Sequence, residues 1–185
     1  MKNRYPREEA LLVALELKKI FDPYCERIVI AGSLRRETPT VADIEILYIP
    51  MMVNQQVDLL TTAEVPAIDK MIAFLEKDKY LERRLNSAGS TMFGEKNKLM
   101  RDVFSGIPVD LFSCSVDDWW VSLVIRTGSK ETNLRLTTGA NKRGLTLNAY
   151  GSGVTDRVTG IVTPATSERH VFDLCGVPYQ EPEDR

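Results

Sequence analysis

The residues with the clearest chemical potential are three carboxylates near a Gly-Ser pair and two arginines. Ala31-Gly32-Ser33-Leu34-Arg35-Arg36 precedes Ala42-Asp43-Ile44-Glu45-Ile46 in the chain. A strand that ends in Gly-Ser lets a bulky polyanion approach the backbone. Exposed N–H groups beyond it bind phosphate, and Arg35 or Arg36 adds charge-assisted bonds. Asp43 and Glu45 stand two apart, which on a strand puts them on one face. An isolated pair of this kind is most often the solvated face of an edge strand. Beside Gly-Ser and Arg-Arg it suits Mg²⁺ instead, a cation held through carboxylates and substrate phosphates. Val109-Asp110-Leu111 offers a third carboxylate on another strand. Three convergent acids are what two-metal phosphoryl transfer requires. No Gly-x-x-x-x-Gly-Lys loop is present, so the phosphate chemistry is not that of a P-loop NTPase.

Composition narrows the partners. The chain has 185 residues, 24 Lys and Arg against 26 Asp and Glu, and a net charge of −2. Non-specific nucleic-acid binders usually carry a basic balance, so any such surface must be local. One candidate is Arg126 to Gly144, where Arg126, Lys130, Arg135, Lys142 and Arg143 face a single acid, Glu131. No apolar run approaches the ~18–20 residues of a membrane span, and the N-terminus lacks a signal-peptide pattern. Three widely spaced cysteines and one histidine exclude a disulfide scaffold, a zinc cage and a multi-histidine relay. A cytoplasmic protein is expected.

The positioning elements follow from periodicity. Ala10, Val13, Ala14, Leu17, Ile20 and Phe21 recur at helical spacing after Pro6, until Asp22-Pro23 stops the helix. Ile28 to Ala31 and Ile44 to Ile49 read as strands, and residues 51–63 as loop. A helix is expected from about Pro66 to Tyr80. Val103-Phe104 and Ile107 to Phe112 read as the two arms of a hairpin, with Pro108 marking an edge or a strand start. Trp119 to Ile125 is apolar, with its tryptophans assigned to packing. Thr166 or Ser167 caps a last helix that ends at Gly176. The natural boundary falls near residue 116.

Together these motifs resemble the family X DNA polymerases, the polymerase beta-like group of the nucleotidyltransferase superfamily. Gly32-Ser33-Leu34-Arg35-Arg36 resembles the family's Gly-Ser-x-Arg-Arg, Asp43-Ile44-Glu45 its Asp-x-Asp, and Val109-Asp110-Leu111 the strand of its third aspartate. Thr127-Gly128-Ser129 with Asn133, then Lys142 to Asn148, then Phe172 to Arg185 resemble its nucleotide-pocket turn, a later turn, and its C-terminal helix and tail. The resemblance implies an α+β fold: a nucleotidyltransferase palm with mixed sheet and flanking helices over 1–116, and a small α/β C-terminal subdomain over 117–185.

It implies Mg²⁺-dependent transfer of a nucleotide from a (deoxy)nucleoside triphosphate to a 3′-hydroxyl, with release of pyrophosphate. Asp43, Glu45 and Asp110 would be the catalytic and metal-holding residues for two Mg²⁺ ions, with Mn²⁺ as a substitute. Gly32, Ser33, Arg36, Gly128, Ser129 and Asn133 would bind nucleotide, and Lys130, Arg135, Lys142 and Arg143 a DNA primer/template. The family's lyase region has no counterpart, so lyase activity is not expected, and an accessory DNA-binding protein could supply grip.

Four departures stand out. Glu45 replaces an Asp, Ile125-Arg126 replaces an aromatic pair, Thr137 stands where an Arg is common, and Pro108 replaces a basic residue. The alternatives are a nucleotidyltransferase acting on an RNA end, a protein or a small molecule, and a catalytically silent DNA-binding subunit.

Overall fold

Residues 3–56, 61–86 and 88–185 are described by the structure, a computed structural model. Strand β1 (Tyr5–Pro6) leads into α1 (Arg7–Phe21), with Pro6 at the N-cap. Ala10, Ala14, Leu17 and Phe21 bury the inner stripe of α1, as the periodicity requires. A 3₁₀ turn at Asp22–Tyr24 holds Pro23, and β2 (Cys25–Ile30) follows. The chain then turns through the single helical turn α2 (Gly32–Arg35) and β3 (Thr40–Val41), which pairs with β1, before entering β4 (Ile44–Pro50).

Residues 51–63, expected as loop, include strand instead: β5 (Met52–Gln56) pairs antiparallel with β6 (Thr62–Pro66). Both strands are exposed or half-exposed on both faces, so no buried side imposes the alternation from which a strand is read. Residues 57–60 of that expected loop lie outside the described residues. Helix α3 (Ala67–Lys77) buries Ile68, Ile72 and Leu75 and is shorter than the expected 66–80.

Next come β7 (Leu81–Arg83), β8 (Asn97–Asp102) and β9 (Pro108–Ser113). The first arm of the expected hairpin is therefore Asn97–Asp102, with Val103-Phe104 in its turn. There Asp102 Oδ2 accepts from the N–H (2.7 Å) and hydroxyl (2.6 Å) of Ser105. An Asx turn of this kind competes with strand pairing and displaces the apolar pair to an exposed tip.

The five-stranded sheet has the order β2-β4-β9-β8-β7, with β4 and β9 parallel and the other pairs antiparallel. Alternation gives it two characters. Ile44, Ile46 and Tyr48 of β4, with Val109 and Leu111 of β9, pack with the buried faces of α1 and α3. The opposite face carries Glu45, Leu47, Ile49, Asp110 and Phe112. Leu47, Ile49 and Phe112 pack there with Trp119 and Leu123 of α4 (Trp119–Thr127). This second apolar cluster leaves Glu45 and Asp110 at the end of the face where β4 and β9 begin.

Beyond α4, helix α5 (Lys130–Lys142), the antiparallel strands β10 (Leu145–Leu147), β11 (Gly153–Asp156) and β12 (Val162–Pro164), and α6 (Glu168–Cys175) surround a separate apolar cluster that includes Val124, Leu136, Val154 and Phe172. Ser167 caps α6 by accepting from the His170 N–H at 3.0 Å, and Gly176 closes it in the left-handed region, as expected. Trp119 is buried with the Arg27 guanidinium 4.3 Å from its ring, a packing role.

Candidate active site

The register of the parallel pair sets the site. Glu45 of β4 is the direct partner of Asp110 on β9. Asp43 precedes β4 by one residue, and the buried Ile44 fixes the face that its neighbours share. Gly32 lies against the same place from α2. Its φ is +61°, and a Cβ built there would overlap the Glu45 carboxylate. Both facts require glycine. The Ala31 N–H bonds the Glu45 carbonyl at 2.8 Å, which ties the Gly-Ser turn to the acidic strand.

Glu45 is the electrostatic centre. Burial first, then the charges of Asp43 and Asp110, push its carboxyl up to about 7, while Arg126 and Arg36 act in the opposite direction. The donor set therefore fits a hard divalent cation in chemistry and charge: hard oxygen ligands, and crowded negative charge that a cation would relieve. It is not drawn together as a cage. Among the described residues, no group of three or more His, Cys, Asp and Glu is assembled to hold a metal ion. The Asp110 carboxylate Oδ1 instead accepts from Arg84 Nη2, in an ion pair whose side chains are 14% and 18% exposed.

The raised Glu45 pKa has a measurable consequence. A carboxyl whose folded pKa exceeds its unfolded value binds more protons folded than unfolded, so stability falls as pH rises from about 4.5 to about 7. The shift corresponds to about 3 kcal/mol at most. Without divalent metal, Glu45→Gln should melt several degrees above the wild type at pH 8 and equal it near pH 4. Identical melting curves at pH 8 would show that Glu45 carries no such penalty.

Around the acids, the arginines of the Gly-Ser motif turn toward α4 and α6. Arg36 Nη1 donates to the Thr127 carbonyl. Arg35 donates to Thr127 Oγ1 at 2.6 Å and forms a two-pronged pair with Glu168, at 2.9 and 2.5 Å. Arg185, its side chain fully buried, reaches the same Glu168 at 3.1 Å. Burial disfavours the charge on Glu168, yet the Arg35 hydrogen bond, then the charges of Arg35 and Arg185, hold its pKa below the ordinary value. Arg36, Thr127 and Gly128 converge here: a Cβ on Gly128, at φ +69°, would meet Arg36 Nη1 at 3.1 Å. The Gly128–Ser129 peptide is cis.

The remaining expected site residues are distributed unevenly. The Ser33 carbonyl accepts from the Thr38 N–H and hydroxyl, each at 3.2 Å. Ser129 caps α5, its Oγ accepting from the Thr132 N–H at 3.3 Å. Asn133 donates from Nδ2 to the Ile125 carbonyl at 2.8 Å, while its Oδ1 is buried with no hydrogen-bond partner among the described residues. Arg135 and Lys142, seven residues apart on α5, share one face along a groove with Gly139, Gly176 and Pro178. Lys130 lies about a third of a turn round the helix from Lys142. Arg143 donates to the Asp173 carbonyl at 3.0 Å and so anchors α6.

Two participants escape the sequence reading. The sequence places Arg126 in a basic stretch and in the pair that replaces two aromatics, without a role at the acids, but its guanidinium stacks 3.7 Å over the Phe112 ring, donates to the Tyr150 hydroxyl at 3.0 Å and tempers the Glu45 charge. Arg84 carries no signal beyond a basic residue in a mixed segment.

This architecture, a mixed sheet with flanking helices and a smaller C-terminal α/β unit, is the polymerase beta fold. Residues 122–185 match the DNA polymerase beta thumb family. The chain superposes over 99% of its length on a crystal structure of Leishmania infantum polymerase beta in a ternary P/T complex, with a TM-score of 0.74 and 23% identity across 77% of that chain. It thus shares its fold with a polymerase beta, and its C-terminal residues are similar to the polymerase beta thumb. No described helix is long and apolar enough to cross a membrane.

Proposed function

We propose that this chain is a family X-like DNA polymerase, with residues 1–116 as palm and 117–185 as thumb. It would transfer a nucleotide from a (deoxy)nucleoside triphosphate to a primer 3′-hydroxyl. The observation that carries the reading is the direct pairing of Glu45 with Asp110 across parallel strands, beside Gly32. Asp43, Glu45 and Asp110 would hold divalent ions, Mg²⁺ or Mn²⁺, which when bound polarise the α-phosphate and make the attacking hydroxyl more acidic. Ser33 and the backbone of α2 would meet the β- and γ-phosphates, with Arg36 linking them to Thr127 and Gly128. The buried, unpartnered Asn133 Oδ1 is suited to accept from an N–H or O–H of the incoming nucleotide.

The test is extension of a primer on a gapped duplex, an unprimed single strand and a blunt duplex, with dNTPs or NTPs. Template-directed extension on the gapped duplex is the expected result. Triphosphate binding without incorporation would point to a different acceptor, and no triphosphate binding would leave a silent subunit. Arg135 and Lys142 share a face that suits a phosphate backbone. Changing either to Ala should reduce the slope of log affinity against log salt by about 1, because one phosphate is no longer neutralised. Unchanged slopes would remove that face from the interface.

A further inference from the structure

Arg84 reaches Asp110 by a route that only strand register reveals. Its backbone N–H bonds the Leu99 carbonyl at 3.1 Å. Leu99 is the direct partner of Asp110, and Asp110 of Glu45. Directly opposed residues in a sheet share a face, so Leu99, Asp110 and Glu45 form one row, and Arg84 continues it at the β7 side. Two strand spacings separate Arg84 from Asp110, about 10 Å between backbones. A long cationic side chain lying over Leu99 closes that gap and places its guanidinium on Oδ1 of the carboxylate.

The pairing is incompletely built on the arginine side. Among the described residues, Nη1 has a single long 3.4 Å bond, to the Leu85 carbonyl, and Nε is buried without a partner. Beside it opens a cavity of about 540 Å³, lined by Asn3, Tyr5, Asp43, Arg84, Arg101 and Pro108. The guanidinium has somewhere polar to go.

A carboxylate oxygen that accepts from a guanidinium cannot also take a divalent ion at ~2.0–2.1 Å without setting two cations side by side. We propose that Arg84 is an internal counter-ion that competes with divalent metal for Asp110, and that it must swing into the adjoining cavity before Asp110 can ligate the ion. Arg84 is thereby a positioning residue that sets the metal concentration at which the site assembles. This rests on the reading of the acidic row as a metal site.

The test measures Mn²⁺ binding by the full chain, without nucleotide, from the loss of the free-ion electron paramagnetic resonance signal. Arg84→Met keeps the stem and removes the charge, and should bind Mn²⁺ about tenfold more tightly than the wild type. Arg84→Lys keeps a competing cation and should fall between them. The gain must vanish in the Arg84→Met/Asp110→Asn double variant. Equal affinity in the wild type and Arg84→Met, or a gain that survives Asp110→Asn, overturns the competition while leaving the metal site standing. No Mn²⁺ binding by either protein at millimolar concentration defeats the competition and the metal reading together. A second measurement needs no Arg84→Met protein: Mg²⁺ titration of the wild type should shift the Arg84 Nε–H resonance, identified by its loss in Arg84→Lys. A resonance that stays fixed while Mg²⁺ binds also overturns the proposal.

Discussion

Asp110→Ala should abolish nucleotide transfer while the chain stays folded. Asp110 is the register partner of Glu45 and the acceptor of Arg84, so its removal takes away one ligand of the proposed metal site. Loss of a preorganised group of this kind costs on the order of 10²–10³-fold in rate. A ligand shared by the reacting centre belongs at or above the upper end. Two electrostatic effects on stability oppose each other. Arg84 loses its carboxylate, which destabilises the fold, whereas Glu45 loses a like-charged neighbour, which relieves part of the repulsion that raises its pKa. The melting temperature should therefore move far less than the rate. Single-turnover extension of a gapped duplex, run beside thermal unfolding, separates the two. Extension within tenfold of the wild type would remove Asp110 from the chemistry, whatever the thermal result.

Glu168→Ala should be the most destabilising single change outside the apolar clusters. Its carboxylate takes two bonds from Arg35 and one from Arg185, whose side chain is fully buried. Removing the acid leaves two buried or largely buried cations uncompensated, a loss of about 3–5 kcal/mol. For a chain of this size that amounts to roughly 6–20 °C in melting temperature.

The pH dependence follows from the sign of the shift. A carboxylate held below its ordinary pKa contributes stability above the unfolded value, near ~4.3. That contribution is lost as pH falls through the folded value. The gap between the wild type and Glu168→Gln should thus be full at pH 7 and shrink below about pH 4. Because Arg35 also bonds Thr127, the variant should loosen the α2–α4 contact that Arg36 and Gly128 share. A melting point within 2 °C of the wild type at pH 7 would show that the arginines find other partners.

Much of this architecture is local and therefore legible in the sequence. The stripe Ala10, Ala14, Leu17 and Phe21 specifies α1, the Ile44/Ile46 alternation specifies β4, and Ser167 with Gly176 brackets α6. Each is an interaction between near neighbours in the chain, with a period set by the backbone itself. The pair Asp43 and Glu45 is visible for the same reason, and Gly32 stands out because its conformation suits few other residues. The paired strands Met52–Gln56 and Thr62–Pro66 are invisible because they bury neither face, leaving no pattern to detect.

The links that make a site of these residues span much longer separations. Glu45 meets Asp110 through parallel register, Arg84 lies over Leu99 to reach Asp110, and Glu168 joins Arg35 across 133 positions. The amino-acid sequence by itself determined which groups with the right chemistry exist and which faces of their strands and helices they occupy. Only the tertiary structure decided that a guanidinium sits on Asp110, that Arg126 tempers Glu45 and that Glu168 is shared by two arginines. The physical reason is that strand register and packing across the sheet are collective properties of the whole chain, whereas periodicity and capping are written within a turn or two of each residue.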